Sequence, residues 1–292
     1  MVTHITRGWL VTHQNCLDGA TAGLVGLASG LSPIFTEPDR VAGALSQVPV
    51  DKPLYLADVS LPITEWSSVR SRITYIVDHH KTALPLQNDA KATIDLSHSG
   101  AALLYRFAVS EGWISANGSW DRLIHMVERY DLWQSDHGPG QDLNRLFRAR
   151  GFEWYRSRFA TGWAPFTSDE ADQLAHIIYD ETEFIARHVT AAQRLAAGPL
   201  LLAGVLLDGD GPVNEVAHTL LERGVDLVLF LKADGRISAR TRSTIDAAAL
   251  MEKHFRGGGH ARAAGGRLTP NLSGSPESLN AVLQEIRRIL AP

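Results

Sequence analysis

What this chain has little of narrows the field first. It carries one cysteine, Cys16, in 292 residues. No intramolecular disulfide can form, so a reducing compartment suits it. Long hydrophobic runs are missing: the stretch 199–207, "PLLLAGVLL", is too short to span a bilayer. The opening "MVTHITRGWLVTHQ" lacks the apolar core of a signal peptide. The expectation is a cytoplasmic protein without a membrane partner. An excess of positive charge is missing too, with 28 Lys and Arg against 32 Asp and Glu for a net charge of -4. Such a field grips long duplex nucleic acid poorly, while a local basic pocket for a small phosphorylated ligand stays open. The G-x-G-x-x-G fingerprint is absent after the first apolar run, where the chain reads "HQNCLDGATAG". That sets aside a dinucleotide-cofactor oxidoreductase.

What is present is a globular composition, 45% hydrophobic, in a length that fits one large domain or two ordinary ones. Apolar strands alternate with helical patterns in the first part. "GWLVTH", "KPLYLADVS" and "ITYIVDHH" read as strands. "DGATAGLVGLASGL" and "PITEWSSVRSR" read as helices, as do "HSGAALLYRFAVSEG" and "SWDRLIHMVERYDLW", with Ser99 or Ser119 as caps. Near-continuous apolar strands between helices predict a parallel sheet covered on both faces. Residues 167–197 read as a helical connector, and an α/β pattern restarts at 198. The expected architecture is therefore α/β: a parallel-sheet domain over 1–166, a connecting helix over 167–197, and a smaller α/β domain over 198–292.

Ligands of parallel sheets bind beyond the carboxyl ends of the strands. There the sequence places His13, Asp58 and the run Asp78-His79-His80. Cys16 and Asp18 follow closely, at the start of a helix, where an acid also serves as a simple cap. Successive side chains of an extended segment point in opposite directions, so Asp78, His79 and His80 do not all reach one ion. One imidazole binding metal, the other facing substrate, and Asp78 orienting an imidazole fits better. Asp131, beside Leu132 and Trp133, has no such placement and reads equally as a solvent-facing acid. Near the C-terminus, "RGGGHARAAGG" joins three glycines to His260 within a basic neighbourhood. A backbone of that kind can approach an anion closely, and a flexible loop is the plainer alternative.

These elements, in this order, resemble the DHH phosphoesterase family, whose naming triplet is seen here as Asp78-His79-His80. Gly257-Gly258-Gly259-His260 with Ala263-Ala264-Gly265 resembles the signature of that family's DHH-associated C-terminal domain, so the likeness covers nearly the whole chain. It implies a phosphoesterase with two metal ions, usually Mn²⁺. His13, Asp18, Asp58, His79 and Asp131 would be ligands, Asp58 bridging. His80 would lie beside the scissile phosphate, with Asp78 as its partner in catalysis. Ser99, Arg240, Gly258, Gly259 and His260 would bind substrate. Two departures matter. Cys16 stands where the family has an aspartate; as a ligand its softer thiolate would bring in Zn²⁺ or Fe²⁺ beside Mn²⁺ and Mg²⁺, and otherwise one metal site is weakened. The acid that usually shortly precedes Asp131 is replaced by Arg129 and Tyr130. The implied activity is a phosphodiesterase acting on very short oligoribonucleotides or linear and cyclic dinucleotides. A phosphatase of 3′-phosphoadenosine 5′-phosphate or a non-catalytic nucleotide sensor are the alternatives, and a homodimer is left open.

Overall fold

Three of the apolar runs become the middle of a sheet. Strands β1 (Gly8–His13), β2 (Leu31–Thr36), β3 (Leu54–Ala57), β4 (Tyr75–Asp78) and β5 (Ala92–Ile94) form one sheet in the order β2-β1-β3-β4-β5. All its pairings are parallel. The coordinates are a computed structural model that describes residues 6–132, 134, 138–242, 244–268 and 274–291. The chain divides into two units, Met1–Leu174 and Ala175–Pro292.

The first unit shows why its strands need apolar residues at nearly every position. Leu10, Tyr55, Ala57 and Val77 enter a core shared with helices α1 (Leu17–Ala28), α4 (Gly100–Ser110), α5 (Gly118–Asp131) and α6 (Pro139–Phe159). Their neighbours Val11, Leu54, Leu56 and Ile76 enter another, with α2 (Val41–Leu45) and Trp66 of α3 (Ile63–Val69). Alternation of side chains across a strand feeds both layers at once. The edge strands are the ones the apolar pattern did not reveal: β2 contains Pro33 and is half-buried over most of its length. α6 bends at Gly151, whose φ is 76°. Asn117, not Ser119, caps α5, its Oδ1 accepting from the amides of Ser119 and Trp120 at 3.0 and 3.1 Å. Trp133, read as part of that helix, lies outside the described residues.

Helix α7 (Ser168–Ala191) begins with a capping box, in which Thr167 Oγ1 accepts from the Glu170 amide and Glu170 Oε2 accepts from the Thr167 amide. The helix ends at Ala191, and 193–197, expected within the connector, form a strand instead. The second unit holds β6 (Gln193–Ala197), β7 (Leu200–Leu207), β8 (Leu227–Lys232), β9 (Arg236–Thr241), β10 (Gly258–His260) and β11 (Ala263–Arg267). They lie in the order β10-β11-β9-β8-β7-β6, with β7 and β8 parallel and every other pair antiparallel. One face carries Leu202, Leu229, Leu231, Ile237 and Ala239 against α9 (Ala247–Phe255) and α10 (Pro276–Leu290). The other carries Val205, Val228 and Phe230 against α8 (Val213–Glu222) and Phe184. No helix among the described residues is long and apolar enough to cross a membrane.

Candidate metal centre

The carboxyl edge of the parallel sheet gathers the acids and imidazoles. β1 ends at His13, and a turn through Asn15, with φ 56°, brings Cys16 to the N-cap of α1. Gly19 makes this approach possible: a Cβ there would lie 2.1 Å from the His13 carbonyl oxygen. Asp18, in the first turn, is buried and accepts the Ala101 amide at 3.1 Å, so its carboxylate also faces the start of α4. Gly100, which opens α4, leaves no space for a side chain, because a Cβ would meet the Asp58 Cβ at 2.6 Å. Asp58 follows β3 in a left-handed conformation, φ 59°, that non-glycine residues seldom adopt.

His79 stands at the centre of the acids. Its Nε2 lies 3.1 Å from Asp58 Oδ1, 3.4 Å from Asp131 Oδ2 and 3.9 Å from Asp18 Oδ2. Asp78 turns back on its own segment. Its Oδ1 accepts from the amides of His79 and His80 at 2.7 and 3.2 Å and lies 2.8 Å from His80 Nδ1. His80 remains half-exposed, with its side chain 47% accessible. His13 Nδ1 is 3.6 Å from Asp58 Oδ2, an ion-pair distance too long for a hydrogen bond.

Electrostatics in this cluster are unbalanced without added positive charge. Burial, then Asp58 and Asp131, push the Asp18 carboxyl well above its ordinary range. Burial and then Asp58 raise Asp131 to about 6. Burial opposes a charge on His79, but Asp58 with Asp18 and Asp131 outweighs it and holds the imidazole at about 9. Burial likewise opposes ionisation of Asp58, and His13 and His79 overcome it, leaving its carboxyl low. Asp58 raises His13, against its burial. Burial, with Asp58 and Asp18, keeps the Cys16 thiol protonated. Like-charged acids this close either retain protons or share a cation.

The donors fit a divalent cation. Three groups bring one ligand atom from each residue within 4.8 Å of the others: His13 with Cys16 and Asp58; Asp18 with His79 and Asp131; and Asp58 with Asp78, His79 and His80. Among the described residues, Asp58 Oδ2 and Asp78 Oδ2 are buried side-chain oxygens with no hydrogen-bond partner. Unpaired carboxylate oxygens in a dry site are what a hard cation satisfies. All eight residues expected at the metal or the reacting phosphate thus meet at one edge. Ser99, expected at the substrate, is fully buried and caps α4, accepting from the Ala102 amide at 3.3 Å.

The remaining expected residues belong to the second unit. Gly258, Gly259 and His260, read from sequence as an anion-approaching backbone or a flexible loop, form the exposed edge strand β10. A Cβ on Gly259 would lie 2.8 Å from the Ala263 carbonyl oxygen, and one on Gly257 would lie 1.9 Å from the Gly265 oxygen. The glycines are thus needed for packing onto β11, whatever else they bind. Arg240 is half-buried on β9. The sequence reading missed Glu37, just beyond β2, whose Oε2 is 3.7 Å from His13 Nε2. It also missed the pair His98 Nδ1 and Glu128 Oε1, 2.7 Å apart, which ties the segment before α4 to α5 one turn before Asp131. Recognising β2 as a strand would have exposed Glu37; nothing local marks His98.

Fold and site together define a class: an α/β protein with a carboxylate–imidazole cluster able to hold a cation at the carboxyl edge of a parallel sheet. Residues 210–291 match the DHHA1 domain family. Oligoribonuclease NrnB of Bacillus subtilis (strain 168) is 24% identical over 217 residues, covering 68% of this chain and 53% of that protein. The chain therefore spans about half the length of the curated relative it matches. The solved structure of PggH from Vibrio cholerae, a pGpG-specific phosphodiesterase, has a TM-score of 0.66 at 14% identity, over 97% of this chain and 98% of that one. Exonuclease RecJ bound to manganese has a TM-score of 0.61 at 15% identity, over 97% and 89%. At these identities the two structures speak for the fold alone. The chain thus resembles DHH-family phosphoesterases, sharing its fold with these two structures and the DHHA1 domain with that family over residues 210–291.

Proposed function

We propose that the chain is a metal-dependent phosphodiesterase that hydrolyses very short oligoribonucleotides or dinucleotides, linear or cyclic, to nucleoside monophosphates. The observation that carries this is the meeting of Asp18, Asp58 and Asp131 around His79, with His13 beside Asp58. The names of NrnB and PggH, an oligoribonuclease and a pGpG-specific phosphodiesterase, support short RNA and dinucleotides as the substrate class. The low charge excess, -4 overall, agrees with a short substrate.

His13, Cys16 and Asp58 would hold one cation, and Asp18, His79 and Asp131 a second, with Asp58 close to both groups. Mn²⁺ is the ion we favour, because five of the six residues offer oxygen or imidazole nitrogen; Mg²⁺, Zn²⁺ and Fe²⁺ are the alternatives that Cys16 makes relevant. When bound, such ions lower the pKa of water and neutralise charge that develops on phosphoryl oxygens.

The chain's own groups do the rest. Asp78 beside Nδ1 raises the His80 imidazole and fixes its ring. The half-exposed ring then offers Nε2–H to the phosphate or to the leaving oxygen, which departs with that proton. The Ala101 amide and the start of α4 hold the Asp18 carboxylate in place. In the second unit, Arg240 and the β10–β11 hairpin are the groups proposed to bind phosphate.

The test is turnover by the full chain, supplemented with Mn²⁺, on di- to pentaribonucleotides and on linear and cyclic dinucleotides. Release of nucleoside monophosphates is expected. No turnover on any of these substrates refutes the reading. Release of inorganic phosphate from 3′-phosphoadenosine 5′-phosphate would point to a phosphatase. Less than one bound ion per chain with nucleotide binding retained would point to a sensor.

A further inference from the structure

β9 shows its alternate residues Arg236, Ser238 and Arg240 on one face of the mixed sheet, while Ile237 and Ala239 between them are buried with α9 and α10. The basic residues here are not equivalent. Arg236 is neutralised by Asp234, Nε to Oδ2 at 2.6 Å, and Arg242, just past the strand, by Glu222. Arg240 has no carboxylate partner among the described residues. Its Nε–H donates to Asn214 Oδ1 at 3.1 Å, and its Nη1–H to the Ala239 carbonyl at 2.9 Å. Asn214 lies in the first turn of α8. A guanidinium only donates, so the amide must turn its oxygen, not its nitrogen, towards Arg240. The cross-strand neighbours of Arg240 are Val228 and Ala263, neither of which competes for the charge. Burial withdraws water from this guanidinium and lowers its pKa.

We propose that Asn214 is a positioning residue for Arg240. The neutral amide fixes the plane of the guanidinium through Nε without cancelling its charge, and the Nη2 edge stays available to a phosphate of the ligand. That the ligand is a short nucleotide rests on the phosphodiesterase reading; the geometry itself asks only for an anion. An aspartate at 214 would accept the same hydrogen bond in the same shape but would neutralise Arg240. Asn214→Asp therefore separates orientation of the cation from support of the fold.

The experiment measures binding of the 5′-phosphorylated diadenosine pApA to the full chain by calorimetry in EDTA, beside thermal melting. Asn214→Asp is expected to bind about tenfold more weakly, ~1.4 kcal/mol, with an unchanged melting temperature. Asn214→Ala removes the acceptor and leaves the charge, so its loss is smaller, about threefold. Asn214→Asp added to Arg240→Gln is expected to bind no more weakly than Arg240→Gln alone, because the first change acts through the second residue. The proposal is overturned if Asn214→Asp binds like the wild type, if alanine is as damaging as aspartate, if the two losses simply add, or if the wild type binds no pApA. Working without metal keeps the two claims apart. Binding of pApA that depends on Arg240 and Asn214, with no turnover of pApA or of any other proposed substrate after Mn²⁺ is added, refutes the phosphodiesterase reading and leaves this inference intact.

Discussion

In the parallel sheet of the first unit every strand delivers its C-terminal residue to the same edge, so His13, Asp58 and Asp78 arrive together although they are dozens of residues apart in the chain. In the mixed sheet of the second unit neighbouring strands mostly run in opposite directions, and their ends are shared between two edges. Its polar chemistry appears on a face instead, in the alternation Arg236, Ser238, Arg240 along one strand. A parallel sheet concentrates side chains at a point and suits a cation held by many ligands. A strand face spreads them at intervals of two residues and suits an extended anion. The two units also use glycine differently. Gly19 and Gly100 let backbone press against His13 and Asp58 of the candidate cation site, while Gly257 and Gly259 serve the pairing of a hairpin.

The strongest way to break this comparison is Asp58→Asn. It keeps the backbone conformation and removes a charge shared by two ligand groups, so kcat/KM should fall at least about 10³-fold and Mn²⁺ binding should weaken with it. Activity within tenfold of the wild type would mean that the strand-end cluster is not the working centre. Next, Gly100→Ala forces a Cβ onto Asp58 and should cost roughly 2–3 kcal/mol by denaturant unfolding, with loss of cation affinity. Gly258→Ala, which meets nothing within 4 Å, should stay within about 0.5 kcal/mol. Equal costs would mean that the close approach of Gly100 to Asp58 carries no weight.

A third test uses protons. His79 sits at about 9 in the metal-free chain and is charged at pH 7, whereas a ligating imidazole must be neutral. Mn²⁺ added to a weakly buffered solution at pH 7 should therefore acidify it. Apparent affinity should rise by up to about tenfold per pH unit from pH 7 towards 9 and level off above, as His79 loses its proton unaided. Below about 6, Asp131 also takes up a proton and affinity should fall more steeply. Binding without proton release would remove His79 from the ligand set. Ser99→Ala removes the α4 cap and should cost about 1 kcal/mol by denaturant unfolding, less than Gly100→Ala.

How much of this was legible in the sequence follows from burial. β1, β3 and β4 announce themselves because both faces are buried and nearly every residue is apolar. β2 and β5 lie at the edges and are half-buried over most of their length, β2 carrying Pro33 and β5 only three residues long, and they leave no such trace, so Glu37 went unseen with β2. β6 was hidden in a helical-looking stretch that runs on from α7, and only its pairing with β7 declares it a strand. The Asp78-His79-His80 run was conspicuous because polar groups at the end of an apolar strand need partners. Asp131 was not, since an acid at the end of an amphipathic helix is ordinary, and only family resemblance singled it out. The tie between His98 and Glu128 spans 30 positions and exists only once α4 and α5 are packed. The "GGGH" stretch was visible as unusual, but its glycines looked like a loop when they form strand edges.

The twist of the chain after β3 reaches further than one unusual torsion angle. With φ at 59°, position 58 sets two separate conditions, one on the main chain and one on the charge. Asparagine meets the first, glutamate the second, and glycine relaxes the first while surrendering the second. Anyone transplanting this centre into another parallel sheet would have to import the local coil of the backbone along with the acid, because an aspartate on an ordinary extended strand end would aim its oxygens elsewhere.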